Sequence, residues 1–336
     1  MSTTAPEPES ALPPKPASDS FASAGSWRAV RQGIDRVILG QSRVKELSLT
    51  CLLAGGHALL EGVPGTGKTL LALALAQMFG CRFRRIQFTP DLMPADLTGT
   101  NVFNPKTQEF DFLPGPIFTD FLLADEINRT PPRTQSALLE SMQENAVTID
   151  GVRRVVSPVF SVFATQNPVE FEGTYPLPEA QRDRFLMKIV IDYPEPEDEG
   201  RMLESYAAGA RLHDDVVASL EPVMTPEILL RSRKEIQANV AVEKNILVYI
   251  RQIVSATRKN DSVQIGAGPR ASLALLETSR ALAALRGRTF ITPDDVKEVA
   301  SPVLSHRVTL TPEAEMEGLS LDDLLRRIFE QVEVPR

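Results

Sequence analysis

Apolar residues follow two different rhythms along this chain. From Trp27 they recur at helical spacing through Val30, Ile34, Val37 and Ile38, and a second helix is predicted over residues 41–53. Short apolar runs then alternate with helical stretches. Strands are predicted over 58–60, 83–88, 121–124, 159–164 and 186–191, with helices over 68–79 and 131–144 and a short one near Glu179. Such alternation predicts an α/β fold with a mostly parallel sheet covered on both faces. Two stretches break it. NVFNPKTQEFDFL, residues 101–113, reads as a hairpin with Asn104 and Pro105 at its turn. VTIDGVRRVV, residues 147–156, reads as a second, because Asp150-Gly151 suits a two-residue type I′ turn between β-branched runs.

After Tyr193-Pro194-Glu195-Pro196 nearly everything is helical. Thr225-Pro226-Glu227, Thr292-Pro293-Asp294 and Thr311-Pro312-Glu313 each place a capping hydroxyl, a proline preset for the first turn and a carboxylate at the positive helix end. A boundary near 194–200 therefore separates an α/β domain, 27–194, from an all-α domain, 195–336. Residues 1–26 are rich in Pro, Ser and Ala without apolar periodicity and read as a disordered tail. The length of 336 residues, more than one core usually supports, agrees with two domains.

Composition narrows the partners. Net charge is −8 with both signs interspersed, which weighs against nucleic acid. Cys51 and Cys81 follow no metal-ligand or disulfide spacing, and no apolar signal region opens the chain, so a reduced, cytoplasmic protein is expected. The longest apolar run, 70–79, is too short to span a bilayer. His57, His213 and His306 lie far apart without a ligand motif and read as structural.

The chemistry gathers at the first strand. Gly62-Val63-Pro64-Gly65-Thr66-Gly67-Lys68-Thr69 matches G-x-x-x-x-G-K-[ST] completely. With glycine near 7% of residues, chance matches arise in on the order of one percent of chains this long. A strand before and a helix after narrow it further, because the loop then ends where a helix N-terminus holds anionic oxygen. The glycines let backbone N–H groups curl around phosphates, Lys68 reaches the β and γ phosphates, and the Thr69 hydroxyl can ligate Mg²⁺. Leu70, next in the helix, is counted among the nucleotide contacts. Phe121-Leu122-Leu123-Ala124-Asp125-Glu126 ends an apolar strand in two carboxylates. Asp125 would hold the water shell of magnesium and Glu126 would accept the proton of the attacking water.

GVPGTGKT, then LLADEINRTPPRTQSALLESMQE, FATQNP and YPLPEAQRDRF, taken in that order, resemble the MoxR group of AAA+ ATPases over about residues 30–310. The resemblance implies a P-loop core sheet of strand order 5-1-4-3-2, a helical lid, and a ring, usually hexameric, with ATP between subunits. The two hairpins would be the helix-2 insert and the pre-sensor-1 hairpin. Asn167, at the carboxyl edge of the sheet, would be sensor 1, and Arg184 the arginine finger reaching a neighbour's phosphate. Arg182 stands where an apolar residue is common and could share that role. Arg270 opposes the dipole of its own helix, which an anion there would resolve. The family's sensor-2 arginine lies at that place, contacting the γ-phosphate of its own subunit. Gly40 and Gln41 resemble the adenine-contacting segment. Arg129 either faces an interface or covers the next helix start.

Three function classes follow. An ATP-driven remodelling machine leads, acting on a separate client or von Willebrand factor A domain protein, with metal or cofactor insertion among the family's tasks. A nucleic acid motor or loader is the alternative, with Arg153 and Arg154 as its small basic pair. A nucleotide-binding scaffold is the third, and Glu126 with Arg184 argues against it, because a pure switch needs neither a base nor a finger.

Overall fold

The computed structural model describes residues 21–167, 173–209, 217 and 219–335. Helices α1 (Ala24–Val37) and α2 (Ser42–Leu53) lead into strand β1 (Ala58–Glu61), helix α3 (Lys68–Met78) and strand β2 (Phe83–Gln87). A short α4 (Pro94–Thr98) precedes the hairpin β3 (Gly99–Asn104) and β4 (Glu109–Pro114). Then come β5 (Phe121–Asp125), a 3-10 turn (Ile127–Arg129), α5 (Pro132–Glu144) and the hairpin β6 (Ala146–Ile149) and β7 (Val152–Val155). Strand β8 (Ser161–Gln166), α6 (Glu179–Arg182) and β9 (Met187–Val190) complete the α/β part.

The helical part runs through α7 (Pro196–Ala207), α8 (Pro226–Asn239) and α9 (Lys244–Lys259) to the strand β10 (Val263–Ile265). It continues with α10 (Pro269–Leu285), α11 (Pro293–Leu304), β11 (Thr309–Leu310), α12 (Pro312–Met316) and α13 (Leu321–Gln331).

The central sheet has the order β2-β5-β8-β1-β9, all parallel. Numbering its five strands along the chain gives 5-1-4-3-2, as expected. The interior strand β5 is buried throughout, whereas its neighbour, the edge strand β2, exposes Arg84, Arg85 and Gln87. Both hairpins form. In the second, Asp150 and Gly151 take positive φ of 50° and 78°, the type I′ signature. The two hairpins touch, with Asn101 donating to the Asp150 carboxylate and the Arg154 guanidinium lying 3.7 Å from the centre of the Phe112 ring.

Thr225, Thr292 and Thr311 cap α8, α11 and α12, each accepting a backbone N–H three residues on. The helical part also holds a β10–β11 ribbon that the sequence pattern does not announce, because strands of three and two residues carry no period. At the N-terminus, Phe21 is buried against Trp27 and α1 starts at Ala24, so order begins before residue 26; the rest of the expected tail lies outside the described residues. Trp27 donates its indole N–H to Ser232 on α8, tying the first helix to the helical part through one shared apolar core. Among the described residues no helix is long and apolar enough to cross a membrane.

Candidate nucleotide site

Helix α3 differs from its capped counterparts. Its N-cap is Gly67 in left-handed conformation, with no side-chain cap and no acid in the first turn. The orphan N–H groups there, with the dipole's positive end, form a site for an anion. Gly65 and Gly67, at φ of 84° and 85°, have open space where a Cβ would stand, the room that phosphate oxygens would fill. Gly62 serves differently from expectation. Its N–H bonds to the Gln166 carbonyl and a Cβ there would overlap the Ile191 carbonyl, so this glycine packs the loop onto the sheet. Thr66 is buried, its hydroxyl on the Val63 carbonyl, and also shapes the loop.

A cleft of 510 Å³ opens over this loop, lined by Pro64, Gly65, Gly67, Lys68, Thr69, Leu70, Arg85, Asp125, Glu126, Thr165, Gln166, Asn167 and Met202. The fold brings together residues as far apart in sequence as Pro64 and Met202. The Lys68 ammonium folds back onto the carbonyls of Gly62 (2.9 Å) and Val63 (2.6 Å). Burial lowers its pKa, while Asp125 and Glu126 pull the other way. Gln41 donates to the Thr66 carbonyl at 3.3 Å, so the predicted adenine segment does lie against the loop. Gly40 and Gln41 are both left-handed, and Asp198 fills the space beside Gly40.

The carboxylates are held by residues that sequence reasoning missed. Register puts Gln87 opposite Asp125 on β2 and β5, and continuation of the β5–β8 register puts Thr165 opposite Asp125 on the other side. The buried Thr165 hydroxyl donates to Asp125 Oδ1 at 2.6 Å and accepts the Glu126 N–H at 2.8 Å. Arg85 pairs with Asp125 Oδ2 at 2.7 Å, and Gln87 donates to Glu126 Oε2 at 2.6 Å. Glu126 itself is left-handed, with φ 56° and ψ 52°, a conformation a non-glycine residue keeps only when its surroundings enforce it. The apolar strands ending in Asp125 and in FATQ mark the carboxyl edge of the sheet, but which strands neighbour each other is not written in them. Arg129 lies 3.1 Å from Glu126 Oε2 within the same chain.

Thr69 and Asp125 face one cleft with oxygen donors only, which suits Mg²⁺ held partly by phosphate and water. Among the described residues no group of three or more His, Cys, Asp or Glu could hold a metal by itself.

Arg184 and Arg270 do not line this cleft. They meet in a separate hollow of 320 Å³ at the amino ends of the strands, with Gly55, His57, Asp183 and Arg307. Strand β1 lies between the two places, roughly 13 Å at ~3.3 Å per residue. The expectation that Arg270 reaches its own γ-phosphate is therefore corrected. The anion answering its helix dipole is Asp183, 3.7 Å away, because α10 docks beside α2 and α11 and not over the loop. Arg182 turns toward Glu179 at 3.9 Å and faces a different hollow. Arg153 and Arg154, the basic pair, are occupied by the Glu144 carbonyl and the Phe112 ring.

A parallel 5-1-4-3-2 sheet, an uncapped helix behind a glycine loop and two carboxylates at the end of the neighbouring strand define an AAA+ ATPase. Residues 57–187 match the model of the ATPase family associated with various cellular activities, and residues 255–328 match the AAA lid domain. The chain belongs to the MoxR family. It is 44% identical over 312 residues to chaperone MoxR1 of Mycobacterium tuberculosis, covering 90% of this chain and 81% of that one. It is 32% identical to protein MoxR of Methylorubrum extorquens, covering 90% and 93%. It is also 48% identical to the uncharacterized protein YeaC of Bacillus subtilis, covering 90% and 92%. A crystal structure of a candidate ATPase from Cytophaga hutchinsonii superposes with TM-score 0.86 at 38% identity, covering 94% of this chain and 97% of that one.

Proposed function

We propose that this ATPase works at interfaces between copies of itself, in a ring, to remodel or activate a separate protein. One observation carries the reading: Arg184 and Arg270 sit together at the opposite end of the strands from their own phosphate loop. Cations so placed have no nucleotide of their own to act on, and a ring brings each pair to the next subunit's cleft.

In that arrangement the N–H groups of Gly65 to Leu70 hold the phosphates and Lys68 leaves its loop carbonyls for the β and γ oxygens. Magnesium, when bound by Thr69 and Asp125, neutralises phosphate charge. Glu126 takes the proton of the attacking water, Asn167 orients at the γ-phosphate edge, and Arg184 and Arg270 from the neighbour stabilise charge on the transferring group. The helical residues 195–336 act as the lid, and the two linked hairpins carry its motion to the client. The name chaperone borne by the Mycobacterium tuberculosis relative supports this last step.

The test is ATP turnover per subunit against protein concentration, for wild type, Glu126→Gln and Arg184→Ala. Specific activity should climb with concentration, and both variants should bind ATP yet lose turnover. Flat activity with an unaffected Arg184→Ala would refute the shared site.

A further inference from the structure

Arg307, just past α11, is a lid residue with a side chain only 4% exposed. A guanidinium has five N–H groups, and burying one is tolerated only when they are satisfied. All five are, and four go to the segment that carries Arg184. Nε donates to Asp183 Oδ1 at 2.7 Å, and Nη2 donates to the carbonyls of Asp183 (3.3 Å) and Phe185 (2.6 Å). Nη1 donates to the Leu186 carbonyl at 3.1 Å and to the Val303 carbonyl near the end of α11. The adjacent His306, also buried, adds Nε2 to Phe185 O at 2.9 Å. From the other side Leu186 N–H bonds to His57 O, pinning the same segment to β1.

We infer that Arg307, assisted by His306, is the positioning residue of the arginine finger: it splints residues 183–186 so that Arg184 projects into the hollow at a set angle. Asp183 is the hub. Its carboxylate takes Arg307 on Oδ1 and faces Arg270 with Oδ2, so Arg270 and the segment carrying Arg184 are both referred to one anchored residue. Among the described residues the Arg184 guanidinium has no ion pair of its own, which leaves it available to an incoming phosphate. Because the splint crosses from the lid to the α/β part, a lid displacement in one subunit moves the finger offered to the next. Successive sites are thereby coupled by hydrogen bonds to backbone, which few side-chain changes elsewhere could replace.

The inference rests on the reading that Arg184 serves a neighbour's nucleotide, and the experiment separates the two. Arg307→Met keeps the length and donates nothing, and Arg307→Lys keeps the charge with fewer, non-planar donors. Each is measured for binding of N-methylanthraniloyl-ATP, for turnover, and for turnover when mixed with Glu126→Gln subunits, which have an intact finger but no base. Displacing a group by about 1 Å can cost on the order of 10²-fold, so Arg307→Met should lose about 10- to 100-fold in kcat with ATP affinity within about three-fold. Arg307→Lys should fall between and serves if the methionine variant does not fold. Mixing with Glu126→Gln should restore part of the turnover. Turnover of the lysine and methionine variants within about three-fold of wild type overturns the inference, that being far below the cost of a misplaced group. So does a mixture that stays inactive while Arg184→Ala mixed with Glu126→Gln recovers. If that control mixture also stays inactive, the shared-site reading has failed, and the splint's role falls with it.

Discussion

Replacing Thr165 by valine removes one hydroxyl and almost no volume, so the effect isolates two hydrogen bonds. Thr165 is 1% exposed, and its oxygen joins Asp125 Oδ1 to the Glu126 N–H. Losing a hydrogen bond to a charged group costs about 1.5–3 kcal/mol, and a buried N–H left unpaired costs about 1–3 kcal/mol. Asp125 keeps Arg85 on its other oxygen, which softens the first loss, so we expect about 2–4 kcal/mol from urea unfolding. The second consequence concerns chemistry. The left-handed peptide of Glu126 costs of order 1–3 kcal/mol and is held by that N–H bond; without it the peptide relaxes and the carboxylate leaves the water's position. Turnover should fall by about 10²-fold while binding of the fluorescent ATP analogue stays unchanged. Thr165→Ser restores the hydroxyl and should recover most of both. A valine variant with wild-type turnover and an unchanged unfolding midpoint would refute the argument that this hydroxyl sets the carboxylates.

Two further outcomes are expected. Arg85 competes with magnesium for Asp125; a half-exposed pair is worth ~0.2–1 kcal/mol, so Arg85→Gln should lower the free Mg²⁺ needed for half-maximal turnover about 1.4- to five-fold, and an unchanged or raised requirement would oppose the reading. Stability should fall in acid because two histidines are buried neutral: burial, helped by the charge of Arg233, pushes His57 from 6.5 down to about 4, and burial with the charge of Arg307 holds His306 well below its usual range. A depressed folded pKa means stability that is full above the unfolded value and lost as pH falls from about 6.5 toward 4, about 3 kcal/mol for His57. His57→Gln should flatten the slope of urea stability over that window by about 1.4 kcal/mol per pH unit, the worth of one proton; an unaltered slope would remove His57 from the account.

Much of the molecule was legible along the chain, and for one reason. The phosphate loop, the type I′ turn at Asp150-Gly151, the threonine-capped helices and the apolar strand ending in Asp125-Glu126 are each written within about ten neighbouring residues, where φ preference, period and capping chemistry act directly. Those features carried the fold class and the nucleotide cleft. Side chains meeting across the sheet were not written there. Arg85, Gln87 and Thr165 reach the two carboxylates only because β2 and β8 flank β5, an order set by how crossovers pack and not by any local period. Helix docking decided the rest. The start of α10 shows that Arg270 needs an anion, yet both a phosphate and a carboxylate would satisfy it. Packing of α10 beside α2 and α11, with Arg307 buried on the carbonyls of residues 183–186, selected Asp183 and set Arg270 next to Arg184, because partners more than eighty residues apart are chosen by the tertiary arrangement alone.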